Sequence, residues 1–122
     1  MQHLYISSSD SKNLFPENTA ANFTVELPSF LIGIKSMALL EFHCHGFSQP
    51  LIVFCDVVKS SYIANSMLPV LRIVNNVGEV GNVQPVQTTR SDVIRLTFKI
   101  LDLSLSPLPN LEAVRLVLRV AQ

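Results

Sequence analysis

The stretch that decides the fold class reads Ile94-Arg95-Leu96-Thr97-Phe98-Lys99-Ile100-Leu101. An apolar side chain stands at every second position from 94 to 100, and the residues between these positions are polar or charged. Successive side chains of a β-strand point to opposite faces of the sheet, so this alternation gives one apolar face and one mostly polar face. The stretch therefore predicts a strand that is buried on one side.

The same period of two governs two further segments. Phe23, Val25 and Leu27 alternate with polar residues until Pro28 ends the run. Positions 114, 116, 118 and 120 are apolar, and two of the residues between them are arginines. A helix over this last segment would carry apolar residues on all sides, whereas a strand places both arginines on one face. We therefore predict a strand over residues 114–121.

Five more short segments have strand-like composition, and turn-forming residues separate them. They are residues 4–7, 36–44, 51–58, 68–74 and 83–88. Residues 60–67 have a weak case for a helical turn. About eight short antiparallel strands at regular spacing predict a single all-β domain over residues 1–122, a β-sandwich with a jelly-roll-like arrangement.

The composition favours a protein that associates with other chains. Hydrophobic residues make up 48% of the chain and charged residues 15%, against about 25% charged residues in an average soluble domain. Nine basic residues balance nine acidic residues, so the net charge is zero. No basic stripe is present, and we expect no direct contact with nucleic acid. We also expect no membrane span and no secretory signal, which predicts a cytoplasmic or nuclear protein.

The clearest candidate for chemistry is the run His43, Cys44 and His45, with Cys55 nearby. On a strand the two histidines share one face and Cys44 takes the other, so the three residues do not converge on one metal ion without a bulge. A disulfide between Cys44 and Cys55 is geometrically possible on neighbouring strands, and that alternative stays open. No nucleophile, base or phosphate-binding loop has the required spacing. We predict no cofactor, no metal, no catalytic residue and no enzymatic activity.

Two turns are candidates for partner contacts. The first is a rigid proline-containing turn that suits a partner pocket, and the second is a loop tip rich in asparagine and glycine. Ordinary turn chemistry is the open alternative for both. The candidate contact residues are Phe15, Pro16, Glu17, Asn18, Asn75, Asn76 and Gly78.

Leu14-Phe15-Pro16-Glu17-Asn18-Thr19, followed by the strand-forming residues 22–28, resembles the opening of a protein encoded by Maverick/Polinton elements and adintoviruses. In that family an "FP-D/E-NT" turn leads into an "NFTxxLP" strand. The resemblance continues in the same order over nearly the whole chain. Lys35 departs from the family pattern, which usually carries tryptophan there. The other segments that carry the resemblance are residues 32–42, 55–58, 68–74, 85–86, 92–102 and 114–119.

The resemblance implies a structural protein of the virion, because these elements and viruses are similar to adenovirus-type double-stranded DNA viruses. It would be capsid-associated: a minor capsid, penton-like, cementing or spike-base component. Its partners would be other capsid proteins and further copies of itself, in a trimer or pentamer, and it would occur in the virion and, during assembly, in the host cytoplasm or nucleus. The alternatives are a receptor- or glycan-binding module such as a fibre head, and a domesticated host copy with a regulatory binding role.

Overall fold

The structure is a computed structural model that describes residues 2–10, 12–47, 50–75, 84–90 and 92–122. The regular structure of these residues consists of ten strands and one short 3-10 turn, Ser29–Leu31. Strand accounts for 55% and helix for 3% of the structure, so the all-β prediction is confirmed. The strands are β1 (Gln2–Ser7), β2 (Asn22–Glu26), β3 (Ser36–His45), β4 (Leu51–Cys55), β5 (Ser61–Ile63), β6 (Ser66–Leu68), β7 (Val70–Val74), β8 (Val86–Gln87), β9 (Arg95–Asp102) and β10 (Glu112–Ala121).

Eight of these strands form two antiparallel sheets of four. Sheet I has the order β1-β10-β3-β8, and sheet II has the order β2-β9-β4-β7. Four of the pairings are nested along the chain: β1 with β10, β2 with β9, β3 with β8 and β4 with β7. The β-sandwich prediction is confirmed, while the jelly-roll arrangement stays a prediction.

The core lies between the two sheets and follows the alternation predicted for β2, β9 and β10. Phe23 of β2 stands opposite Phe98 of β9, and their ring centroids are 5.4 Å apart. Each large apolar side chain buried there contributes about 1.5–3 kcal/mol to stability. The largest fully buried residues include Phe23, Phe42, Phe98, Leu39, Leu96, Ile100 and Leu116.

The strand bounds follow the sequence pattern closely in β3, β9 and β10, and the predicted strand near the end of the chain is confirmed. The segment 51–58 is strand only as far as Cys55. The segment 83–88 is reduced to β8, Val86–Gln87, and its first residue lies outside the described residues.

The weak case for a helical turn over residues 60–67 proves wrong. These residues form a hairpin in which β5 pairs with β6, apart from both sheets. Ala64 and Asn65 connect the strands with φ values of 49° and 65°. Two successive residues with positive φ make the turn whose twist matches a two-residue hairpin, and asparagine tolerates that conformation well. This local geometry excludes a helical turn.

Candidate interaction surfaces

The predicted contact turn lies along the outer edge of β2 in sheet II. The Asn18 N–H donates to the carbonyl of Phe15 at 3.1 Å, which closes the turn. The buried Asn18 side chain donates from Nδ2 to the Thr24 carbonyl at 2.8 Å and accepts the Thr24 N–H at Oδ1 at 3.0 Å. One amide side chain thus replaces a neighbouring strand at Thr24.

Thr19 covers the next open position of the same edge. Its N–H donates to the carbonyl of Asn22 at 2.9 Å, and the Asn22 N–H donates back at 3.3 Å. Unpaired edge strands are templates for uncontrolled pairing, so these contacts protect β2. The structure therefore gives Asn18 an internal role, which fits the alternative of turn chemistry.

The other residues of this turn differ in exposure. Phe15 is half-buried, with the Arg95 guanidinium 5.2 Å from its ring centroid. Arg95 Nε in turn lies 3.5 Å from Glu26 Oε1. Pro16 and Glu17 are exposed. A partner that reached this turn would meet Pro16, Glu17 and the free part of the Phe15 ring.

The second predicted tip begins directly after β7. Asn75 is exposed. Asn76 and Gly78 lie outside the described residues, and their role as contact residues stays a prediction.

The histidine–cysteine run on β3 behaves as strand alternation requires. His43 Nε2 lies 3.3 Å from Glu41 Oε1, while Cys44 Sγ donates to the Phe47 carbonyl at 3.5 Å. Cys44 and Cys55 are both free thiols. Burial raises the pKa of Cys44, and burial, with a smaller contribution from the Asp56 charge, raises the pKa of Cys55 to about 12. Across the described residues, no group of three or more His, Cys, Asp or Glu is placed to hold a metal ion.

An apolar hollow on the outer face of sheet II was not predicted. Phe54 of β4 stands opposite Lys99 of β9, so both side chains point away from the core between the sheets. Leu68 and Pro69, at the base of the hairpin, form a wall beside Phe54. The hollow has a volume of about 330 Å³, and Phe54 on its floor is only 6% exposed.

A second hollow of about 400 Å³ adjoins the first. The two share Asn22, Lys99 and Leu101, and the loop between β9 and β10 completes the second with Leu105 and Pro107. We call the two hollows together the sheet II groove. Lys99 lines both hollows, and its side chain has no hydrogen bond or ion pair within the described part of the chain.

The β5–β6 hairpin presents a second apolar feature next to the groove. Tyr62 and Met67 stand opposite each other in the hairpin and are 71% and 63% exposed. The Tyr62 hydroxyl donates to Asn65 Oδ1 at 3.0 Å, which holds the ring over the turn. Tyrosine and methionine are enriched in protein–protein interfaces.

The sequence contains two signals for the sheet II groove. Residues 51–55 are apolar without interruption, and all five are buried. A strand that is buried on both faces has such a run, whereas a strand with a solvated outer face alternates. The apolar Leu101 at an outward position of β9 is a second, weaker sign.

Fold and surface together define an all-β sandwich protein with an apolar groove on one outer face. Comparison with protein-family models, with curated proteins and with solved structures gave no match. Among the described residues, no helix is both long enough and apolar enough to cross a membrane. The resemblance to the Polinton and adintovirus protein therefore stays a prediction.

Proposed function

We propose that this protein is a capsid-associated structural protein of a virion that acts by packing against other protein chains. The observation that carries the proposal is the sheet II groove. A two-layer sandwich needs one apolar face per sheet, and the outer faces are ordinarily polar. Here Leu68, Pro69 and Leu101 surround the largely buried Phe54 on the outer face of sheet II, and they leave an apolar hollow that a partner chain would cover.

The strand connectivity supports a jelly roll, an architecture that viral capsid domains use. The four nested antiparallel pairs correspond to one long hairpin that is wound into two sheets. Apart from the step from β4 to β7, successive sandwich strands alternate between the sheets. Two rigid sheets of this kind present firm flanks to neighbouring subunits.

The exposed apolar side chains and the low charge content support the same proposal. Among the exposed large apolar side chains, Tyr62 and Met67 stand together on the hairpin, where a partner chain would bury both. We propose as partners other capsid proteins and copies of the chain itself, in a trimer or pentamer. The exposed side chains are Tyr5, Leu14, Phe30, Ile32, Tyr62, Met67, Ile73, Ile94 and Leu103.

The test is the molar mass of the purified protein by light scattering behind a sizing column, over a concentration series. We expect a discrete trimer or pentamer, which Leu101→Glu converts to monomer because it places a charge in the sheet II groove. Leu14→Glu, at an exposed apolar position away from the groove, is the matched control and should keep the oligomer. A monomer at every concentration would contradict self-assembly.

A glycan-binding module is the second candidate, and one observation favours it. The first hollow combines an aromatic floor with a polar rim, which includes Asn22, Asp56 and Thr97. Sugar-binding sites converge polar groups on an aromatic ring, but Phe54 exposes little of its ring for stacking. Titration of simple sugars, followed by NMR shifts of these residues, would decide between the two functions.

A further inference from the structure

The backbone of β1 has an open edge, and its geometry follows from one hydrogen bond. The Ser8 N–H donates to the Val114 carbonyl at 2.8 Å. Residues 8 and 114 are therefore a hydrogen-bonded pair of the antiparallel ladder, and the register continues this pattern to Ile6 with Leu116 and Leu4 with Leu118. Hydrogen-bonded and non-bonded pairs alternate along such a ladder. The N–H and C=O groups of residues 3, 5 and 7 thus point away from sheet I.

One of these three positions is already closed. The Ser7 N–H donates to Asp10 Oδ2 at 2.9 Å, and the Asp10 N–H donates to the Ser7 carbonyl at 2.9 Å. No described residue covers His3 or Tyr5 in this way. Gln2–Ser7 contains no lysine, proline or register shift, the devices that usually protect an edge.

Two other edges of the sandwich sheets are covered. Asn18 and Thr19 cover β2, as shown above. On β8 the outward residue is Gln87, and its carbonyl accepts the Lys59 N–H at 2.9 Å. At the edge of β3, the Arg72 side chain of β7 donates to the carbonyls of Leu39 and Leu40 at 2.9 and 3.3 Å. By contrast, β1 is an open and unprotected edge of sheet I at which two copies of this chain can meet.

We infer that two copies of this protein pair through β1, antiparallel about a two-fold axis that passes by Leu4. In this register His3 of one copy faces Tyr5 of the other, and each of these pairs exchanges two backbone hydrogen bonds. Leu4 faces its own counterpart as the non-bonded pair. The two copies of sheet I become one continuous sheet.

The outward backbone groups of His3 and Tyr5 match those of a second copy of the chain, which is therefore the expected occupant of this edge. His3 and Tyr5 lie one residue to either side of Leu4, so the edge is complementary to itself under a two-fold rotation. Residues 2–5 carry no formal charge at pH 7 with neutral histidine, and the whole chain has a net charge of zero. Two copies therefore approach without repulsion. The exposed His3 and the Tyr5 ring, which is 76% exposed, meet across the pair.

This contact is independent of the proposed function, because it uses an edge of sheet I and not the sheet II groove. It involves few residues and buries far less than the roughly 1,600 Å² of a stable interface. We expect a weak dimer that forms at high concentration, so the test traps it covalently.

Leu4→Cys is the trapping variant. A non-bonded antiparallel pair has a Cα separation of about 4.5 Å, which a disulfide spans. Under mild oxidation we expect a disulfide-linked dimer whose yield rises with protein concentration, above the background of the wild-type thiols Cys44 and Cys55. His3→Cys and Tyr5→Cys are the matched controls. Each alone faces a different residue and should not link, whereas an equal mixture of the two should.

Tyr5→Pro, added to Leu4→Cys, tests the backbone bonds. The Tyr5 N–H does not bond to β10, so proline removes an outward donor without breaking an internal hydrogen bond. We expect its cross-linking to fall about tenfold, while Tyr5→Thr keeps the donor and the cross-link. Circular dichroism and thermal melts verify that each variant is folded.

Three outcomes would overturn the self-pairing. The first is a folded Leu4→Cys that forms no dimer at any concentration, and the second is equal linking of all three single-cysteine variants. The third is an unchanged yield with Tyr5→Pro. A chain of a different protein that occupied β1 would give the first outcome.

Discussion

Asn18→Ala removes the side chain that replaces a strand at the edge of β2, and its effect on stability follows from two hydrogen bonds. The amide satisfies both the N–H and the carbonyl of Thr24 at 3.0 and 2.8 Å. A typical hydrogen bond contributes about 0.5–1.5 kcal/mol, and an unsatisfied buried backbone group costs about 1–3 kcal/mol. Because the site is only partly buried, water can reach it, and we expect a loss of about 2–3 kcal/mol.

Urea unfolding and thermal melts, both followed by circular dichroism, measure this loss. A domain of this size loses roughly 3–5 °C in melting temperature per kcal/mol, so we expect a shift of about 6–15 °C. Glu17→Ala, one residue away and exposed, is the control and should stay within about 0.5 kcal/mol of wild type. The bared β2 edge should also raise aggregation on heating. A change below 0.5 kcal/mol in Asn18→Ala would refute the proposed edge protection.

Three further predictions concern single backbone and thiol positions. Gly46→Ala should cost several kcal/mol and leave little folded protein in a thermal melt, because a Cβ there would overlap the Asn110 carbonyl oxygen. Gly33→Ala is the control: its φ is also positive but the space around it is open, so it should cost only about 1–2 kcal/mol. Ala64→Gly should raise the free energy of unfolding, measured with urea, by about 1 kcal/mol, because Ala64 has a φ of 49° and glycine adopts this conformation without strain. An unchanged or lower urea midpoint would contradict this. The raised pKa of Cys55, about 12 in the folded chain against 9.0, means that the unfolded chain loses this proton first as pH rises. Stability should therefore fall between pH 9 and 12, by up to about 1.4 kcal/mol per pH unit, and Cys55→Ala should show a shallower fall in urea titrations over that range.

The sequence predicts the strands and their faces well where the alternation is complete. β2 and β10 bury the apolar set that the period of two selects, since one face of each strand must meet the core. β9 buries Leu96, Phe98 and Ile100, whereas Ile94 lies before the strand and is exposed. The hairpin was missed because its turn, Ala64-Asn65, contains no glycine and gives a weak turn signal. Which strands become neighbours is not local information. β1 pairs with β10 across nearly the whole chain, and no short segment encodes that pairing.

The candidate surfaces were harder to predict for the same reason. The sheet II groove combines residues of β2, β4 and β9 with the base of the hairpin, so it exists only after the sheet has formed. Asn18 was predicted as a turn residue, but its partner Thr24 became visible only in the structure. The open edge of β1 depends on which backbone groups face outward, and a pattern of side chains does not determine that.

The position of β10 in sheet I has a consequence for synthesis of the protein. β10 lies between β1 and β3, so sheet I is split into separate pieces until residues 112–121 have left the ribosome. Until then β1 has no neighbouring strand, and the edge of β3 that β10 later covers stays open. Pairings this distant in sequence form slowly, on a scale of about milliseconds to seconds. A nascent chain would therefore stay vulnerable until residues 112–121 emerge, which stopped-flow refolding and ribosome-stalled fragments ending before residue 112 would measure.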